Sequence, residues 1–230
     1  MQNGQGAFIR DSEQKGDVIC RLVSLAVALL PAMAVCLAAG VAVCVDVIAL
    51  RTGCAESALV ELSQLVCLLS TGSLAACAAV RCPRLRGGFV LISGLFFSMA
   101  MREMDWALDN IAHGCWVYPA VAIATVAIAV AVRRPGSTLA GLERVRAERN
   151  FQLLAVGLFA VFALSRILGY KGLWMAAGNF GYLRIAKRIA EESMELFGYL
   201  LILCWAIIFF ARYVCPSVKN RAHGKTADHN

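Results

Sequence analysis

Charge is scarce in this chain. Only 16% of its 230 residues are Asp, Glu, Lys or Arg, while 60% are hydrophobic and the mean hydropathy is +0.70. A soluble domain carries about a quarter charged residues. That composition excludes an ordinary soluble domain, a disordered chain and a collagen-like repeat. Histidine is limited to positions 113, 223 and 229, too few for the histidine-lined centre of a membrane zinc hydrolase. Ten cysteines include no CxxC pair, which argues against a thiol oxidase. No Walker loop, GxSxG elbow, HExxH helix or dinucleotide fingerprint occurs. Internal repeats and low-complexity tracts are also missing.

Long apolar runs are what the chain has instead. Each is about the length needed to cross a ~30 Å hydrocarbon core. Their backbone amides must be satisfied within each segment, so the runs are helices. The expected fold is an all-α, polytopic membrane helical bundle of six transmembrane helices, at 22–48, 57–80, 88–110, 116–133, 151–170 and 190–213. A polar N-terminal tail (1–16) precedes a single transmembrane domain (17–214), and a basic tail (215–230) follows it. The first run is longer than one crossing needs, so it tilts or bends near Pro31. It is also too long for the apolar core of a cleaved signal peptide.

Basic residues set the orientation. Arg10, Lys15 and Arg21, then Arg81, Arg84 and Arg86, then Arg133, Arg134, Arg144, Arg146 and Arg149, and finally Arg212, Lys219, Arg221 and Lys225 mark alternate connections. Both termini are therefore expected in the cytoplasm of a bacterial-type inner membrane. Connection 171–189, with Lys171, Arg184, Lys187 and Arg188, runs against the pattern. The net charge of +7 needs no nucleic acid, because loop and tail arginines meet anionic lipid. The 136–150 segment reads as an interfacial helix with Leu139, Leu142 and Val145 toward lipid.

Ionisable groups inside a membrane are costly and mark functional positions by default. Nine of the 15 acids (Asp46, Glu56, Glu61, Glu103, Asp105, Asp109, Glu191, Glu192, Glu195) fall in or beside the outer halves of spans. Arg102 and Arg166 reach the same level from spans three and five. The expected ligand-binding set is Arg102, Glu103, Asp105, Asp109, Arg166 and Glu195. Arginine–carboxylate pairs would hold this set and the surplus acids would meet the ligand. The plain alternative is interhelical glue, with Glu56, Glu191 and Glu192 solvated at the interface.

On a continuous span-three helix, Arg102, Asp105, Asp109 and His113 share one face, and Gly114 ends it. Asp109 and His113, four residues apart, could serve as catalytic acid and base or as two metal ligands. With no second histidine in any span, no metal or cofactor is assigned. The Gly- and aromatic-rich segment 168–182 reads as an interfacial belt, or alternatively as a lid hinged at glycine. Cys54 and Cys115 are the only cysteines in outer connections. They bridge if that compartment is oxidising and their Cα atoms lie within about 7 Å; otherwise both remain thiols.

Three functions fit these residues. One is a membrane protein whose outward-facing charged pocket binds or moves a small polar or cationic solute, or protons. Another is a membrane-embedded enzyme acting on lipid head groups. The last is a non-catalytic subunit whose charges pair with a partner subunit. Reporter fusions after residues 85, 142 and 225 are expected to score cytoplasmic, and those after 52, 115 and 175 external. Two contrary fusions overturn this topology.

Overall fold

A computed structural model of the chain describes residues 34–45 apart from 36, and 59–214 apart from 111 and 179. Contacts divide the chain into Met1–Ala38 and Ala39–Asn230. Of the first unit, residues 34, 35, 37 and 38 are described, and all are helical. Every element below belongs to the second. Both tails, most of the expected span 22–48, and Asp46, Cys54 and Glu56 lie outside the described residues.

Helices α1 (Leu59–Arg81) and α2 (Arg86–Glu103) are joined by the 3-10 turn Pro83–Leu85. A single turn, Asp105–Leu108, leads to α3 (Val117–Arg133) and α4 (Pro135–Arg146). Then come α5 (Phe151–Leu168), α6 (Lys171–Ala177) and α7 (Phe180–Val214). No strand occurs among the described residues. Among the described residues, four helical stretches are long and apolar enough to cross a membrane: Leu59–Arg81, Pro83–Glu103, Phe151–Leu168 and Leu183–Ala211. Helices α3 and α4, bent by 107°, make a fifth if counted as one span. The described residues thus form an all-helical fold with four to five candidate spans, which fits a membrane protein.

Small residues and hydroxyls set the helix contacts, as they must where lipid is as apolar as the side chains. Ser93 donates to the Gly72 carbonyl (3.0 Å) across α1 and α2. Ser98 donates to the Ala120 carbonyl (3.0 Å) across α2 and α3, where Gly94 also meets Ala127. Gly157 and Gly198 bring α5 against α7 so closely that a Cβ on either would meet the other's carbonyl at 2.8 Å.

At one end of the bundle, Phe89 of α2 packs on Trp205, Phe209 and Phe210 of α7 with Ala75, Ala78 and Ala79 of α1. Phe89 meets Phe209 and Phe210 edge-on at 5.9 and 5.3 Å, and Trp205 stacks on Phe209 at 5.3 Å. These four rings are fully buried and make the tightest part of the core. Arg81, Arg86, Arg133 and Arg146 lie at helix ends on this aromatic side.

Helix α4 departs from expectation in one respect. Leu139 is exposed, but Val145 is buried in the aromatic-end core rather than turned to lipid. The cause is a backbone approach: a Cβ on Gly141 would lie 2.9 Å from both the Gly88 Cα and the Leu85 carbonyl oxygen. Ser137, which accepts from the Gly87 N–H at 3.1 Å, fixes the same contact. Gly136, in the same helix, has open space around it. Gly141→Ala is therefore expected to lose about 1–3 kcal/mol of stability through overpacking against backbone. Gly136→Ala is expected to match or exceed the wild type, given alanine's better helix propensity. Thermal unfolding in detergent compares the two; equal effects would remove the close approach.

Candidate functional site: a charged layer opposite the aromatic end

The polar residues of four helices arrive at one depth. At about 1.5 Å per residue, Gln64, Glu103, Arg166 and Glu195 each lie roughly 22–29 Å from the aromatic end of their own helix. Glu195 is the best buried of the charged ones, at 3% exposure. It pairs with Arg166 of α5 and stands 3.8 Å from Arg102 of α2. Arg166 Nη1 also reaches Glu191 Oε1 at 3.5 Å, and Lys187 Nζ lies 2.9 Å from Glu191 Oε2. The basic residue that ran against the topology pattern at 187 is thus held by a carboxylate one turn away.

A π-helical turn aims Arg166. In a regular helix, the nine residues from Gly157 to Arg166 would turn the side chain about 180° away from the Gly157–Gly198 crossing. Ala160–Leu164 is instead a π-turn, equivalent to one inserted residue and about 100° of rotation. The α7-facing line then runs through Gly157, Val161 and Ser165, all buried, with Arg166 one residue off it. Gly169 completes the arrangement, since a Cβ there would strike the Glu191 carboxylate.

Two further carboxylates take neutral partners. Tyr199, buried in α7, donates to Glu103 Oε1 at 2.8 Å. Gln64 of α1 donates through Nε2 to Glu192 Oε2 (3.0 Å) and to the Glu192 carbonyl (3.2 Å). Glu103 and Glu192 also feel each other's charge. Neither lies within ion-pairing distance of a cation among the described residues.

The structure brings together Arg102, Glu103, Arg166 and Glu195 of the expected set, and it separates Asp105 and Asp109 from them. The continuous face from Arg102 to His113 does not form. Helix α2 ends at Glu103, Met104 leaves helical geometry (φ −93°, ψ 14°), and Asp105 accepts from the Trp106 N–H at 2.7 Å. A short acidic side chain that binds nearby backbone competes with helix continuation. Asp109 accepts from the N–H of Gly114 (2.8 Å), which adopts φ +77°. His113 Nδ1 lies 3.1 Å from Asp109, but its side chain is 98% exposed. Together these contacts make a local turn closure. Among the described residues no group of three His, Cys, Asp or Glu could hold a metal.

Arg102 is paired but 38% exposed, so it lies at the rim of the layer. Sequence reasoning passed over Gln64 entirely and left Glu191 and Glu192 open between the charged layer and solvent at the interface. The signal for Gln64 was present, as a lone amide inside the apolar run Leu62 to Leu69.

Beside the layer, Arg166, Ile167, Tyr170 and Leu173 line a cleft of about 350 Å³. Helix α6 borders it. Trp174 is tied back by its Nε1–H to the Leu168 carbonyl at 2.5 Å. Comparison of the chain with protein-family models, curated proteins and solved structures finds no match.

Glu195→Gln is expected to cost about 1–3 kcal/mol, because it leaves two arginines short of their shared buried partner. Asp109→Asn should stay within about 0.5 kcal/mol, as a surface substitution does. Melting curves of the two variants in one detergent check the contrast. A larger loss for Asp109→Asn would reverse the assignment of which acid matters.

Proposed function

We propose that the chain is a multi-pass membrane protein whose outward-facing charged layer binds a small polar or cationic solute, or protons. The observation that carries this reading is the pair Glu103 and Glu192. Glu191 and Glu195 stand within ion-pair distance of an arginine or lysine, whereas these two accept hydrogen bonds from a phenol and an amide and feel cations only at longer range. A carboxylate so placed in an apolar bundle favours a positive ligand, because burial without a counter-charge is costly. Arg102, Arg166 and Lys187 hold the frame, and Glu103 with Glu192 meets the ligand.

Orientation follows from the arginines at the aromatic end, which belong in the cytoplasm by the positive-inside tendency. The charged layer then opens outward from a cell membrane of bacterial inner-membrane type. Binding is favoured over conduction through this bundle, because the buried rings of Phe89, Trp205, Phe209 and Phe210 close the path below the layer. The enzyme alternative on lipid head groups relied on Asp109 and His113, which pair with each other in an exposed turn rather than with the charged layer. Nothing favours the partner-subunit alternative over binding.

The test is thermal unfolding in nanodiscs with sodium, calcium or methylammonium chloride, against N-methylglucamine chloride at equal ionic strength and across pH. A ligand at 100 times its Kd adds about 2.7 kcal/mol. At least one cation, or protons, is expected to stabilise the wild type and to lose that effect in Glu103→Gln/Glu192→Gln. Identical curves for the two proteins under every condition would contradict the reading.

A further inference from the structure

Gln64 is fully buried, yet only half of its amide is used. Nε2 serves Glu192 twice, while Oε1, equally buried, has no donor among the described residues. The reverse amide orientation would set an oxygen against the Glu192 carboxylate and carbonyl oxygens, so Nε2 belongs where it is. An orphaned acceptor inside a membrane helix calls for an explanation, because no bulk water solvates it.

The chemistry of the partner supplies one. An ionised carboxylate only accepts hydrogen bonds, but a protonated carboxyl presents one donor and one acceptor. A carboxamide presents the complementary acceptor and donor. A neutral acid beside a primary amide can therefore close a two-bond ring, with amide N–H to carboxyl oxygen and carboxyl O–H to amide oxygen. Ionised Glu192 can make only the first of these bonds.

We infer that Glu192 is a proton-binding site, its neutral carboxyl paired with the Gln64 amide at the charged layer. Resting on the reading of that layer as a binding site, this inference names its ligand. The proton comes from hydronium on the outer side and leaves a water behind; the Glu192 carboxylate becomes a carboxyl, and nothing is oxidised or reduced.

The surroundings fit a site that gains one positive charge. Glu103 faces Glu192 from α2, Arg188 and Glu191 act on it from α7, and Gln64 is the contact from α1. From α5, Arg166 reaches Glu191 and Glu195, and Arg102 and Asp105 flank Glu103. Glu103 and Glu191 thus bring negative charge to bear on Glu192, with Arg188 the cation that acts on it. A proton on Glu192 relieves the repulsion from those two carboxylates.

The experiment is pH-difference infrared spectroscopy of the whole chain in nanodiscs, reading the C=O stretch of protonated carboxyl groups. The wild type is expected to show a titrating band that Glu192→Gln abolishes. Gln64→Met keeps the volume but removes both the amide acceptor and the N–H that Glu192 accepts, so its readout is the band itself: the C=O stretch of the protonated carboxyl is expected to move to higher frequency once the two-bond ring is lost. A wild-type spectrum without a Glu192 band, or an unmoved band frequency in Gln64→Met, overturns the inference.

Should Gln64→Met fail to fold, Glu192→Gln decides by its stability. An amide–amide pair preserves both bonds, so this variant should melt as the wild type does at low pH and lose its pH dependence there. A strongly destabilised Glu192→Gln would also overturn the proposal. The two readings fail separately. Cation stabilisation without a Glu192 band removes the proton site and leaves solute binding, whereas a Glu192 band without any cation effect leaves the layer as a proton site alone.

Discussion

A buried carboxylate inside an apolar bundle must find a counter-charge, and Glu195 finds two. Much of the charged end follows from that requirement. Arg166 must turn toward α7, which a regular α5 would not allow, and the π-turn at Ala160–Leu164 supplies the rotation. Helices α5 and α7 must also come close, and the Gly157–Gly198 crossing permits it. Once Arg166 is in place it reaches Glu191, which Lys187 holds from the other side. Both arginines remain near 40% exposed, at 38% and 46%, so the layer is wetted at its rim while its central carboxylate is dry.

The two ends of the same helices therefore do different work. At one end, edge-on and stacked aromatic rings around Phe89 and Trp205 leave the helices no room to part. At the other, contacts are ionic or hydrogen-bonded, between side chains long enough to exchange partners. Packed apolar cores resist rearrangement, whereas half-exposed ion pairs contribute little individually and can re-form at small cost. A ligand entering from the charged side would meet a responsive layer above a rigid base.

The helical character was legible because apolar length and scarcity of charge admit little else, and the level of the charged layer could be counted from helix rise. Arg102, Glu103, Arg166 and Glu195 were recoverable in that way. Errors arose where local backbone chemistry overrides periodicity. Asp105 captures the Trp106 N–H and α2 stops at Glu103, so the stripe to His113 is lost. The π-turn in α5 is invisible to a count of 100° per residue. Val145 turned out buried because two glycines let α4 lie on α2. Gln64 was missed because an uncharged amide does not register in a search for charges, although burying an amide in a membrane helix requires partners just as burying a carboxylate does.

The central claim is that Arg166 and Glu195 act as one unit linking α5 to α7. A double-mutant cycle with Arg166→Gln, Glu195→Gln and the combined variant, measured by equilibrium unfolding in one lipid or detergent system, tests it most directly. Residues in contact couple by about 0.5–3 kcal/mol, and a favourable coupling in that range is expected. Additivity within about 0.3 kcal/mol would mean that the two side chains do not depend on each other, and the account of the charged layer would fail.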